Sequence, residues 1–201
     1  MSRPTTRTQW KILVALVVAG ALGMTALPRA QEDNFFPDTK RRGRAAVEYK
    51  DKQIHVLAAY YYSQRNHDSR WLLIEAAVST TEGVTFDRGN IRLVAPSGRE
   101  SALPEQARVL EDRVRIRTVV QNASASRHNL LTYFPQQTYE EPLQLFSLGS
   151  GAVLTNFVTD NNHVAFGDLF FEAPNGLWED GTYSLVFERD GVRAVLPIEL
   201  E

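Results

Sequence analysis

The 201-residue chain has no cysteine, two methionines and four histidines. The missing thiols exclude cysteine nucleophiles, thiolate metal sites, disulfide staples and a cysteine-linked lipid anchor. They leave the redox compartment open, because a domain of about 170 residues buries close to 70% of its unfolded surface without cross-links. His55, His67, His128 and His163 share no HxH or HExxH spacing, so no zinc signature is present. No G-x-S-x-G elbow occurs, and "GSGA" at 149–152 lacks the Lys-Ser/Thr of a phosphate loop. "DNN" at 160–162 fails as a calcium loop, since Val164 stands where a further oxygen ligand is needed. Catalytic, cofactor and metal residues are therefore expected to be none.

Long apolar runs are missing too. The longest near the N-terminus, 12–24, has thirteen residues, short of the roughly twenty that span a bilayer. It follows a basic start with Arg3, Arg7 and Lys11 and precedes the polar "TALPRAQEDN". Basic, apolar and polar blocks in that order predict a signal peptide over 1–30, cleaved after Ala30. Pro28 occupies a position where a small residue is usual, so an uncleaved anchor through 12–27 is the alternative. No arginine pair precedes the run, which disfavours the twin-arginine route. Residues 1–30 hold four of the 22 basic residues and none of the 24 acids. The remainder therefore carries 18 basic and 24 acidic groups, a formal charge of −6. That balance argues against nucleic acid as a partner and suits an exported, self-repelling protein, periplasmic or extracellular. The membrane enters only through the N-terminal segment, if it is retained.

Residues 31–44 are polar, interrupted by Pro37 and end in "KRRGR", which predicts a flexible linker. From 45 to 201 the dominant period is two. "QIHVLAAYYYS" (53–63) is apolar on both faces and is expected as a central strand, with Tyr60 and Tyr62 on one face and Tyr61 on the other. Further strands are expected over 70–80, 84–86 and 91–94, and within "NLLTYFP", "LQLFSL", "AVLTNFVT" and "VAFGDLFFEAP". The stretch after Pro104 changes character and predicts one inserted helix over about 104–121, supported by an Arg108–Asp112 pair one turn apart. Within it "RVRIRTV" also fits a strand period. Asp190-Gly191 predicts a two-residue hairpin turn. It sets Phe187 opposite Ala194, Leu185 opposite Leu196 and Tyr183 opposite Ile198.

"EDGTYSL" (179–185) resembles the aspartate-glycine-x-tyrosine corner of immunoglobulin-like sandwiches. The likeness spans seven residues and lacks the cysteine pair and core tryptophan spacing of antibody domains. It implies that the Tyr183 hydroxyl bonds backbone at a sheet corner. The wider layout, "WLLIEAAVS…IRLVAPSG…GDLFFEAPNGLWEDGTYSLVF…LPIEL", resembles secreted bacterial β-sandwich proteins of uncharacterised role. The expected fold is thus mainly β, an immunoglobulin-like, Greek-key antiparallel β-sandwich over 45–201.

Candidate functional residues are few. Tyr61, His67, His163 and Trp178 form a possible binding surface: His67 and His163 lie in loops that can meet at one end of a sandwich, and Trp178 lies in the Gly- and Asn-flanked loop "PNGLWEDG". The first expectation is a non-catalytic binding or assembly module whose partner is another envelope protein or a second copy, joined by strand pairing at an edge. The alternatives are a secreted hydrolase on a jelly-roll-like sandwich and a carbohydrate-binding module. The hydrolase would use Glu140, Glu141, Asp168 or Glu172, or the loop histidines; the module would use Tyr61 and Trp178.

Overall fold

The computed structural model describes residues 36, 38–66, 70–136 and 138–201. The signal or anchor segment 1–30 and His67 lie outside the described residues. The first strand, β1 (Thr39–Arg41), falls inside the segment expected to be a linker and pairs antiparallel with β2 (Ala46–Lys50). Asp51 then turns the chain, its Oδ1 accepting the N–H of Gln53 at 2.7 Å and of Ile54 at 2.8 Å. The turn leads into β3 (Ile54–Ala59), every residue of which is buried. Apolarity on both faces had predicted this interior position. The strand stops at Ala59, however, and Tyr61 and Tyr62 sit in the turn before a short helix, α1 (Ser63–Asn66).

β4 (Trp71–Thr80), β5 (Val84–Asp87), β6 (Ile91–Val94) and β7 (Glu100–Ala102) follow. The expected single helix is two, α2 (Gln106–Glu111) and α3 (Arg113–Ala123). They break at Asp112, whose carboxylate accepts Trp71 Nε1–H at 3.0 Å, Arg108 Nη2–H at 2.8 Å and Arg70 Nη1–H at 3.2 Å. Ile116, Val119 and Ala123 bury one face of α3 while Val114 is exposed. The helical period therefore prevails over the strand alternation in "RVRIRTV".

"NLLTYFP" is not a strand. Leu130–Tyr133 makes a 3-10 turn that buries Leu130, with Phe134 buried beside it. A short apolar run does not distinguish strand from helix by periodicity. "LQLFSL" is also not a strand, although Leu143, Leu145 and Phe146 are buried. Side chains occupy its backbone instead: Gln106 accepts from Ser147 N–H at 3.0 Å and donates to Ser147 C=O at 2.7 Å, as a strand neighbour would.

The remaining strands are β8 (Tyr139–Pro142), β9 (Asn156–Thr159), β10 (His163–Glu172), β11 (Gly181–Arg189) and β12 (Val192–Leu200). Of "AVLTNFVT" only β9 is extended. The β11–β12 hairpin has the expected register, including Glu188 opposite Arg193, around Asp190 and Gly191 at φ 50° and 83°. Tyr183 also behaves as its motif implies: its hydroxyl accepts Glu179 N–H and donates to Glu179 C=O, both at 3.0 Å.

The strands form a six-stranded sheet, β1-β2-β3-β4-β10-β8, a four-stranded sheet, β12-β11-β6-β7, and the pair β5-β9. One core joins Ile54, Val56, Ile74 and Leu169 of the first sheet to Leu93, Leu185 and Leu196 of the second. A second apolar cluster lies on the six-stranded sheet's other face, where Leu130 and Phe134 cover Leu57 and Ala77. The fold is mainly β with antiparallel pairing throughout, except that β8 runs parallel to β10. That exception corrects the wholly antiparallel expectation. It arises because the chain leaves β8 at Pro142, crosses back through residues 143–162 and enters β10 at His163, beside Tyr139 where β8 began.

Candidate functional site

Two clefts flank β10. The first, about 350 Å³, is lined by Glu141, Pro142, Leu154, Asn156, Val158, Asp160 and His163. The 160–162 turn builds its polar corner. Asp160 Oδ1 accepts the N–H of Asn162 at 2.7 Å and of His163 at 2.9 Å, and the carboxylate holds His163 Nδ1 at 2.8 Å. The Asn162 amide first, and the histidine next, keep Asp160 below the ordinary carboxylate range. A carboxylate accepts only, so Nδ1 is the donor in this pair. Tyr139 stacks on the ring with centroids 5.6 Å apart.

The second cleft, about 410 Å³, lies between α3, β10 and residues 143–148. Phe146, Phe166 and Phe170 supply apolar wall, and Arg127 meets Asp168 through two bonds, of 2.9 and 2.6 Å. Directly across from Asp168 on β4 stands Glu75, 6% exposed, accepting His128 N–H at 3.4 Å. Burial chiefly holds Glu75 above its ordinary carboxyl range; Asp168 adds to the shift, and Arg127 and the His128 amide oppose it. Gly167 is required here, since a Cβ would stand 2.2 Å from Leu143 O.

No family model and no curated protein matches this chain. A solved structure, a functionally unknown protein from Listeria monocytogenes EGD-e, is similar over 82% of this chain and 84% of its own, at 13% identity and TM-score 0.33. So slight a likeness assigns neither fold nor activity.

Of the expected binding residues, His67 lies outside the described residues, and the other three sit in different environments. His163 does enter a cleft. Trp178 is buried at 7% exposure, its ring edge-on to Tyr183 at 5.6 Å. It covers the corner tyrosine and is not an exposed anchor, because a large apolar ring beside Tyr183 gains more from burial than from water. Tyr61 is half-buried, packs at a tilt against His128 with centroids 5.2 Å apart and donates its hydroxyl hydrogen to Arg42 C=O at 3.3 Å. Of the expected hydrolytic acids, Asp168 is engaged with Arg127 and Glu172 with Arg108 at 2.7 Å, while Glu140 and Glu141 are exposed on β8, Glu141 lining the first cleft. Among the described residues no cluster of His, Asp and Glu has a metal-site arrangement.

Sequence reasoning passed over the Glu48–His55 pair. His55 Nε2 and Glu48 Oε1 lie 2.8 Å apart and both residues are buried, while Arg42 Nε–H donates to Glu48 Oε2 at 2.7 Å. The available signal was the Asp51 turn. It fixes a hairpin in which Lys50 faces His55 and Glu48 lies one diagonal away.

Proposed function

We propose that this chain is an exported, non-catalytic binding or assembly module of the cell envelope, on an immunoglobulin-like, Greek-key β-sandwich. The basic-apolar-polar N-terminus supports export. The Tyr183 corner and the pairing of strands distant in sequence, β4 with β10 and β6 with β11, support the sandwich type. One observation carries the non-catalytic reading. Asp168 and Glu172, two of the acids expected for hydrolysis, are held by Arg127 and Arg108, and a carboxylate kept ionised by a guanidinium is a poor proton donor to substrate.

The export half is tested by fusing residues 1–44 to a reporter enzyme active only outside the cytoplasm of a bacterial host. Reporter activity is expected, and cytoplasmic retention of an inactive fusion would refute export. The hydrolase reading keeps one specific support: the protonation-prone Glu75 facing Asp168 beside an aromatic cleft. Glycan turnover that disappears in Glu75→Gln would favour the enzyme over the module.

A further inference from the structure

We propose that this chain associates head to tail with further copies of itself, the β8 edge of one molecule meeting the β1 edge of the next. The inference rests on the assembly reading above and names its partner. Among the described residues the six-stranded sheet ends in β1 on one side and β8 on the other. Lys40 and Arg41 of β1 are exposed, as are all four residues of β8. One edge reads Thr-Lys-Arg and the other Tyr-Glu-Glu-Pro. Charged edges ordinarily keep sheets apart. Here the signs are opposite, so charge opposes β1 against β1 and β8 against β8 but favours β1 against β8.

Three further features agree. Strand direction is the first. Four antiparallel steps lead from β1 to β10 and one parallel step to β8, so β1 and β8 point the same way. A neighbour in the same orientation therefore adds β1 parallel to β8. Side-chain facing is the second. The row Lys40, Glu48, Leu57, Ala77, Phe166, Pro142 crosses the whole sheet. Glu140, two residues before Pro142, therefore shares a face with Lys40.

Backbone phase is the third. Tyr139 N–H and Leu143 N–H donate to Asn162 and Phe166 on the β10 side, which leaves the peptide groups of Glu140 aimed outward. Arg42 N–H donates to Ala46 and Asp38 C=O accepts from Lys50, which leaves Thr39 and Arg41 aimed outward. In a parallel ladder a residue bonds the two neighbours of the one opposite it. Glu140 opposite Lys40 thus gives its N–H to Thr39 C=O and accepts from Arg41 N–H. This register also sets Glu141 opposite Arg41. Arg41 already pairs with Glu199, so Lys40 and Glu140 are the decisive charges. Pro142 presents no N–H, which keeps the ladder short and the contact dependent on charge and therefore on salt. A contact between two different patches repeats from copy to copy and builds chains or rings.

The test is sedimentation velocity of the protein, purified as the host exports it, over a concentration series at about 0.05 and 0.5 M salt. Wild type is expected to associate at low salt and dissociate at high salt. Lys40→Glu and Glu140→Lys, each with unchanged far-ultraviolet dichroism, are expected to weaken association by about tenfold or more. An equimolar mixture of the two variants is expected to regain it, because each junction in an alternating assembly is again attractive. Wild type that remains monomeric overturns the proposal. So do variants that associate like wild type, and so does a mixture no better than its components. Failure of the envelope reading is recognised separately, by a retained reporter fusion.

Discussion

Glu48 Oε1 and His55 Nε2 meet along a cross-strand diagonal at 2.8 Å, with side chains 9% and 8% exposed. Burial chiefly pushes the imidazole below its ordinary 6.5; the Glu48 bond offsets this in part, and Lys50 and Arg42 add to it. Glu48 stays below 4.5 despite its own burial, because the bonds from His55 and Arg42 outweigh desolvation. Each group binds fewer protons folded than unfolded, so both make stability rise with pH. The His55 contribution is lost as pH falls below 6.5, its unfolded value, toward its folded one. The Glu48 contribution is lost below 4.5. Between about pH 5.5 and about pH 7.5 the urea midpoint of the wild type is therefore expected to rise relative to that of His55→Gln. A midpoint difference that stays constant over that interval would contradict a buried neutral histidine.

Glu75 has the opposite sign. Its folded carboxyl binds a proton more readily than the unfolded one, so its ionisation lowers stability as pH rises above 4.5. Glu75→Gln is expected to gain about 1 kcal/mol at pH near 8 and little near 4, read as a Tm difference that widens with pH. Asp168→Asn is expected to lose stability by about 1–2 kcal/mol, after screening, because it disrupts the two-bond pair with Arg127.

Legibility in the sequence followed locality. The β11–β12 register could be read from Asp190-Gly191 because the turn and both strands are contiguous, and the Tyr183 corner is closed within four residues. The helix after Pro104 was visible from its period, but its break was not, since Trp71, 41 residues upstream, binds Asp112. Residues 143–148 alternate as a strand should, yet their partner is the side chain of Gln106, which no periodicity reveals. His163 was recognisable as a loop histidine beside an acid. Glu75 and Arg127 were not legible as a site, because a strand and a loop 52 positions apart are joined only by the folded sheet.

The role of Gln106 is directly testable. Gln106→Ala leaves Ser147 N–H and C=O without their protein partners. Solvent reaches part of this segment, so the expected loss is about 1–2 kcal/mol. Gln106→Glu keeps the acceptor and loses the donor, and is expected to fall between the two. Urea denaturation of the three proteins gives the ranking. An alanine variant as stable as wild type would show that water replaces the amide fully.

Gly167→Ala tests the wall of the second cleft. Gly167 faces Ala76 across the sheet, and its missing Cβ lets Leu143 C=O approach closely from the adjoining segment. An added methyl would meet that backbone oxygen at 2.2 Å, far inside contact distance. Leu143 cannot simply withdraw, because its own N–H is bonded to Phe166 C=O at 2.9 Å and its side chain is buried. Either the β8–β10 ladder opens at its end or the 143–148 segment lifts away from β10. Overpacking of this kind is expected to destabilise by about 2–3 kcal/mol. Hydrogen exchange should locate the damage, with faster exchange at Leu143 and Ser147 while the β11–β12 hairpin amides keep their protection relative to global unfolding. Uniform loss across both sheets would instead mean that Gly167 supports the whole core and not this wall alone.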